Sequence, residues 1–195
     1  MYFFIRNIND YNNDYLNEFS SSIYAEKRNR IDKYKRYDDK KRSIIGEIII
    51  SELLNKYYKI DYKSLNIVTN KYGKPLVTNI NIFFNISHSS DLIAGIVCNN
   101  EVGIDVEKVK DVSDSFISQY STKKEIDYIS SDKRKAFEIF CLKEAYFKMK
   151  GTDLSNLLSI EFSINDSSVE CSEDNVYCEL HYLDNYIIAI CKKNS

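Results

Sequence analysis

An α+β fold, with helices packed on mainly antiparallel sheet, is predicted by three features of this sequence. Runs of strand composition open and close the chain, and two long helical patterns interrupt them. Strands and a helix in the first half are followed by strands, helix and strands in the second, with no low-complexity linker between.

Each element follows from its residues. The opening YFFIRNI is a strand. Ser22 to about Tyr58 reads as helix, a polar part followed by SIIGEIIISELLNKYY. There Ile44, Ile45, Ile48, Ile49 and Leu53 recur at helical spacing and form one buried face, so the core helix is expected to begin near Arg42. LNIVTNKYGKPLV gives two short extended pieces about a Gly-Lys-Pro turn, because glycine frees the backbone and proline bars the preceding residue from helix. IFFNISHS, LIAGIVC and VGIDVEKV read as three strands of an antiparallel meander, the last two joined at Asn99-Asn100. Ser113 to Lys150 is helical with Gly151 as its cap, and LLSIEFSI, VYCELHYL and YIIAICKK are three closing strands. No residue-level repeat is strong enough to establish duplication.

Bulk composition narrows the function. A net charge of -2 with 44% hydrophobic residues is ordinary for a globular protein and argues against a general nucleic-acid or membrane binder, which carries a basic excess. No apolar run approaches the roughly 18 to 20 residues that span a bilayer, and the start lacks a basic region followed by a long apolar stretch, so a cytoplasmic, unprocessed protein is expected. Five cysteines, Cys98, Cys141, Cys171, Cys178 and Cys191, lie in apolar patterns with no CxxC pair and read as buried thiols.

Charge that matters is therefore local. Asp105 and Glu107 of GIDVE alternate with Ile104 and Val106, which predicts one acidic and one core face for that strand. Their Cα atoms stand roughly 7 Å apart, close enough for both carboxylates to reach one hard cation such as magnesium. Alone, a D-x-E is more often a solvated strand face. A second signal is Glu144 in RKAFEIFCLKEAYFKMKG, which shares a helix sector with Phe137, Phe140, Cys141 and Lys148 and interrupts an aromatic face. The rest of that helix is apolar, so its charges need partners, and a metal and a phosphate would serve. Lys143 adds a charge on a neighbouring strip.

Two further clusters suit phosphate. His88 in NISHS is flanked by Ser87, Ser89 and Ser90, a donor-rich turn that on its own could equally have no task. The run from Glu26 to Arg42 holds nine basic and four acidic residues, 9 - 4 = +5, and would dock a phosphate-rich ligand or an acidic protein if it is more than a solvated helix face. Lys74, in the rigid YGKP turn, offers one more cation.

Taken in order, EKRNRIDKYKRYDDKKRS, YGKP, FNISHS, GIDVEKV and CLKEAYFKMKG resemble the 4′-phosphopantetheinyl transferases of the two-lobed Sfp type, from about Glu26 to Ile164. The resemblance implies transfer of the phosphopantetheine arm of coenzyme A to a serine of an apo carrier protein, with release of 3′,5′-ADP. It implies a pseudo-dimer of similar α/β lobes with coenzyme A in the cleft between them. Residues 1–100 would form the nucleotide-binding lobe and residues 101–195 the lobe with the magnesium and catalytic residues, in one structural unit and a monomer. By the same resemblance, Asp105, Glu107 and Glu144 would hold magnesium, Lys148 would meet the phosphates and Lys143 would line the same pocket. Lys27, Arg30, Arg42, Gly73, Lys74, Pro75, Ser87 and His88 would hold the adenosine 3′-phosphate and adenine. The general base stays open between Glu144, Glu125 of STKKEIDY and a metal-bound water. Phe140 stands where the family often has tryptophan, and GTDL, Gly151 to Leu154, stands where it has GxGL.

Two other classes compete. A magnesium-dependent phosphodiesterase or nuclease could use a D-x-E with a distant Glu, but such sites commonly need more acidic ligands than this chain groups together. A non-catalytic binder of coenzyme A or of carrier proteins would have no use for Asp105, Glu107, Glu144 and Lys148, all of which are present.

Overall fold

The computed structural model describes residues 1–130, 132–165 and 168–194. The chain divides into two compact units, residues 1–99 and 100–195. No helix among the described residues is long and apolar enough to cross a membrane.

The first unit runs β1 (Tyr2–Asn7), α1 (Asn13–Ser20), α2 (Ala25–Asp32), α3 (Tyr37–Leu53), β2 (Ile67–Thr69), β3 (Pro75–Val77), β4 (Phe83–Ser89) and β5 (Leu92–Cys98). Strand β5 is buried along its whole length and pairs antiparallel with β1 on one side and β4 on the other. Helix α3 covers this sheet, and its predicted face of Ile45, Ile48, Ile49 and Leu53 is fully buried with Phe84, Ile93 and Val97. The helix starts at Tyr37, ahead of the Arg42 expected from the apolar pattern, because Asp38 and Asp39 occupy a first turn that favours negative charge. The expected long helix is thus broken at residues 33–36. Helix α1 escaped the periodicity search because it buries only Leu16; Asn12 caps it, its side chain accepting from the Tyr15 N–H.

The second unit runs β6 (Val102–Lys108), α4 (Asp114–Tyr120), α5 (Lys123–Ile129), α6 (Lys133–Lys150), β7 (Phe162–Asn165), β8 (Ser168–Cys171), β9 (Val176–Leu183) and β10 (Tyr186–Lys193). The helical stretch predicted from Ser113 resolves into three helices, since Ser113, Thr122 and Asp132 each cap a new start through their side-chain oxygens. Gly151 ends α6 as expected, at a φ of 67° that L side chains rarely adopt, and its N–H donates to the Phe147 carbonyl. The closing region holds four strands instead of three. LLSIEFSI becomes extended only at Phe162, and β8 precedes β9.

The meander expected from β4, β5 and β6 is corrected. Both edges of β5 are taken by β1 and β4, and β6 instead pairs with β10 in the sheet β6-β10-β9-β8-β7. Among the described residues the two units share one plan: a strand, three α-helices, then four strands, with the last strand central between the first and the penultimate. Topology carries a repeat that the residues do not display.

Candidate functional site

The site in the second unit begins with a glycine. Alternation on β6 puts Gly103, Asp105 and Glu107 on one face, and α6 crosses that face so closely that a Cβ at Gly103 would run into the Ala145 carbonyl and the Met149 backbone nitrogen. Backbone therefore meets backbone. The acidic face is itself covered: Asp105 is 2% exposed, and Ile104 and Val106 behind it are wholly buried.

Burying a carboxylate costs several kcal/mol unless it is paired. Asp105 meets that demand by accepting from the Lys148 ammonium at 2.5 Å. Glu144, one helical turn before Lys148, is half-buried, and its carboxyl is pushed up to about 7. Burial is the main cause; the Lys148 charge opposes it, and the charges of Asp105 and Glu107 add to it. Lys148 is shifted upward as well. Burial favours its neutral form, yet Asp105 and Glu144 outweigh this and raise its pKa. These four side chains, three carboxylates and one ammonium, sum to -2 when all are ionised. Cys141 shares the strip; burial and then Asp105 hold its thiol protonated, and it donates to the Ile187 carbonyl.

The donor set suits a hard cation, because all three candidate ligands are carboxylates. In the structure Asp105 and Glu144 act on Lys148 while Glu107 acts on Glu144, and among the described residues no three acidic, histidine or cysteine side chains already converge as a metal-binding group.

Two expected members of the site lie elsewhere. Lys143 is fully buried, paired with Glu125 at 2.8 Å, and donates to the carbonyls of Leu157 and Ile160. Glu125 also accepts from the Thr122 and Phe162 N–H groups and is 0% exposed. Lys143 and Glu125 here fasten α6 to α5 and the start of β7 instead of lining a pocket.

In the first unit, Lys27, Arg30 and Lys33 line one pocket of about 360 Å³ with Tyr24 and Thr69. Lys27 is largely spoken for: its ammonium lies 3.1 Å from Glu47, which is buried in the middle of α3 and also accepts from the Tyr62 hydroxyl at 2.8 Å. Glu47 was legible as the one acidic residue in the run IIGEIII. Arg30 approaches Gly73, whose φ of 87° makes the YGKP turn. Arg42 donates from Nε to the Ser90 carbonyl at 2.7 Å and pairs with Asp39, which steadies the turn after His88. Ser87 and Lys74 are buried while His88 is exposed; Pro75 opens β3. Sequence reasoning missed Gly103, Glu47, Tyr62 and Lys33.

Both halves of the chain match a known family. Residues 11–100 match the family described as 4′-phosphopantetheinyl transferase, N-terminal, and residues 101–191 match the 4′-phosphopantetheinyl transferase superfamily. The chain is 29% identical over 153 residues to the 4′-phosphopantetheinyl transferase gsp of Aneurinibacillus migulanus, a match covering 76% of this chain and 64% of that one. Against Sfp of Bacillus subtilis (strain 168) the identity is 26% over 187 residues, covering 89% and 83%. A solved Helicobacter pylori holo-[acyl-carrier-protein] synthase, in complex with coenzyme A, is 17% identical with a TM-score of 0.42, covering 48% of this chain and 99% of that one. Matched in both halves, the chain belongs to the 4′-phosphopantetheinyl transferase superfamily. Its likeness to Sfp across most of both chains makes it an Sfp-type member.

Proposed function

We propose that this protein transfers the 4′-phosphopantetheine arm of coenzyme A to a serine of an apo carrier protein and releases 3′,5′-ADP, with magnesium held by Asp105, Glu107 and Glu144. The observation that carries the site assignment is Glu144, whose carboxyl is pushed up to about 7 beside Asp105 and Glu107. Carboxylates crowded at this cost in stability are relieved by a divalent cation. Magnesium, when bound, would offset the charge of the coenzyme A pyrophosphate.

The remaining work falls to the chain's own residues. Lys148, kept charged by Asp105 and Glu144, faces the bridging phosphate and offsets charge that develops on the departing 3′,5′-ADP. The serine oxygen forms a bond to phosphorus as the bond to 3′,5′-ADP breaks, and the serine proton must leave. With Glu125 locked against Lys143, Glu144 is the side chain left among those considered to receive it. Arg30, Arg42, Lys74 and His88, joined by Lys33, hold the nucleotide end, while Lys27 supports the pocket through Glu47.

Intact mass spectrometry of an apo carrier protein incubated with coenzyme A and magnesium tests the reading. A phosphopantetheine adduct on the carrier, lost when coenzyme A is omitted, is expected. No adduct, together with cleavage of a nucleic acid or other phosphodiester, would overturn it in favour of a hydrolase.

A further inference from the structure

Three of the five cysteines meet on one sheet. Cys178 on β9 and Cys191 on β10 stand directly opposite each other in the antiparallel register, and their sulfurs are 2.7 Å apart. That is closer than the ~3.5–4.0 Å at which even carbon atoms pack best, although sulfur is larger. Cys171 on β8 lies diagonally across from Cys178, two residues beyond its partner Val169, close enough for the Cys178 thiol to raise the pKa of Cys171. Cys178 and Cys191 are buried, whereas Cys171 is half-exposed.

We propose that Cys178 and Cys191 form a cross-strand disulfide, and that Cys171 is the thiol through which a low-molecular-weight disulfide reaches them. Directly opposed residues of an antiparallel pair have Cα atoms about 4.5–5.5 Å apart, inside the ~4.4–6.8 Å range that a disulfide spans. The electrons balance in three exchanges. The disulfide RSSR is attacked by Cys171, giving Cys171–S–SR and one RSH. Cys178 attacks the Cys171 sulfur and expels the second RSH. Cys191 then attacks the Cys178 sulfur, which forms the Cys178–Cys191 bond and returns Cys171 as a thiol. Two thiols are oxidised, RSSR is reduced to two RSH, and the two thiol protons leave on those products.

The surroundings set the pace. Burial holds the Cys191 thiol protonated, and its contact with Cys178 holds the Cys171 thiol well above the usual range too, so exchange is slow and enters at Cys171 only because that sulfur is the accessible one. The product closes a link between the central strand and its neighbour. Cys191 Sγ also lies 3.6 Å from the Leu142 carbonyl of α6 and opposite Gly103 of β6, so the oxidised sulfur gives up a hydrogen bond to the helix that carries Glu144.

The full chain, treated with excess glutathione disulfide, alkylated in denaturant and mapped by mass spectrometry without reduction, tests this. A peptide pair joined through Cys178 and Cys191, with Cys171 alkylated, is expected, and dithiothreitol reverses it. Cys171→Ser should slow its appearance about tenfold or more, and Cys191→Ser should trap a Cys171–Cys178 link. Five alkylated cysteines after prolonged treatment, or a glutathione adduct that remains on Cys171, would overturn the disulfide. An unchanged rate in Cys171→Ser would overturn the relay.

Discussion

Each unit joins its first strand to its long helix with one ion pair, and the two pairs have opposite polarity. Arg6 on β1 pairs with Glu52 on α3 at 2.9 Å, both about one-third exposed, and the guanidinium also lies over the Phe4 ring. Asp105 on β6 pairs with Lys148 on α6 at 2.5 Å, with the carboxylate side chain 3% exposed. The first is a partly solvated pair of one cation and one anion. The second sits in a covered place where Glu144 and Glu107 bring further negative charge. One scaffold therefore supports a peripheral clasp in one unit and a charge imbalance in the other. Imbalance, not pairing, marks the proposed ligand site.

The glycines under the two helices make the comparison sharpest. A Cβ at Gly95 of β5 would meet Ile49 side-chain atoms, whereas one at Gly103 of β6 would meet α6 backbone. Side-chain atoms can yield by rotation, but a helix backbone cannot. Gly103→Ala should therefore destabilise by about 3 kcal/mol or more, and Gly95→Ala by roughly 1–3 kcal/mol. Urea unfolding measures both. Equal losses would mean that α6 can move off β6, and the geometry holding Glu144 near Asp105 would lose its basis.

The buried pair of the second unit separates structure from chemistry. Removing one partner of such a pair costs ~3–5 kcal/mol because the other charge is left buried, so Glu125→Gln should lower Tm strongly. Turnover per folded molecule should survive. If Tm holds and transfer vanishes, Glu125 is the base after all and the Lys143 pair opens in the working enzyme. At the site itself, Glu144→Ala and Asp105→Ala should fold yet lose about 10²–10³ in kcat, the usual loss when one charge-stabilising group is removed. Full activity in both would end the metal assignment.

What the sequence disclosed depended on the range over which each signal acts. Gly151 and the Ile45, Ile48 and Ile49 face were legible because a cap or a helical stripe is written in neighbouring residues. Asp105 and Glu144 were legible as residue types in odd places. Their burial was not, because it depends on Gly103 admitting α6, a contact between segments some forty residues apart. The same gap misplaced Lys143: its spacing on the helix was read correctly, but its partners Glu125, Leu157 and Ile160 come from other elements. The β5–β6 pairing failed for a related reason. Adjacent strands with a short link look like a hairpin until the distant β1 and β10 claim their edges.

A pH series tests the imbalance directly. Glu144 has a folded pKa raised to about 7 from an ordinary 4.5, so between those values the folded chain holds a proton that the unfolded chain has released. Its contribution is fully present below pH 4.5 and is lost as pH rises through about 7. Metal-free protein should accordingly lose thermal stability across that interval, and magnesium should restore it most at and above pH 7, where the cation no longer competes with the proton. Glu144→Gln removes the titrating group and should flatten both trends. A Tm profile that is the same in Glu144→Gln as in the wild type would show that the charge at the site is balanced without this carboxylate.

The smallest effect is expected at the matching clasp of the first unit. Arg6 and Glu52 are each about one-third exposed, and pairs open to solvent contribute ~0–1 kcal/mol, less at high salt. Arg6→Ala should shift the urea midpoint slightly, mainly through lost packing of the guanidinium on Phe4, and should leave transfer unchanged. Reversing the pair, Arg6→Glu with Glu52→Arg, should recover most of any loss, because two partly solvated partners care little for polarity. The same exchange at Asp105 and Lys148 should abolish transfer even if the fold tolerates it, since there the carboxylate must stand where Glu144 and Glu107 can share a cation with it. Transfer that survived that second exchange would reduce the two clasps to equivalents and remove the distinction between the units.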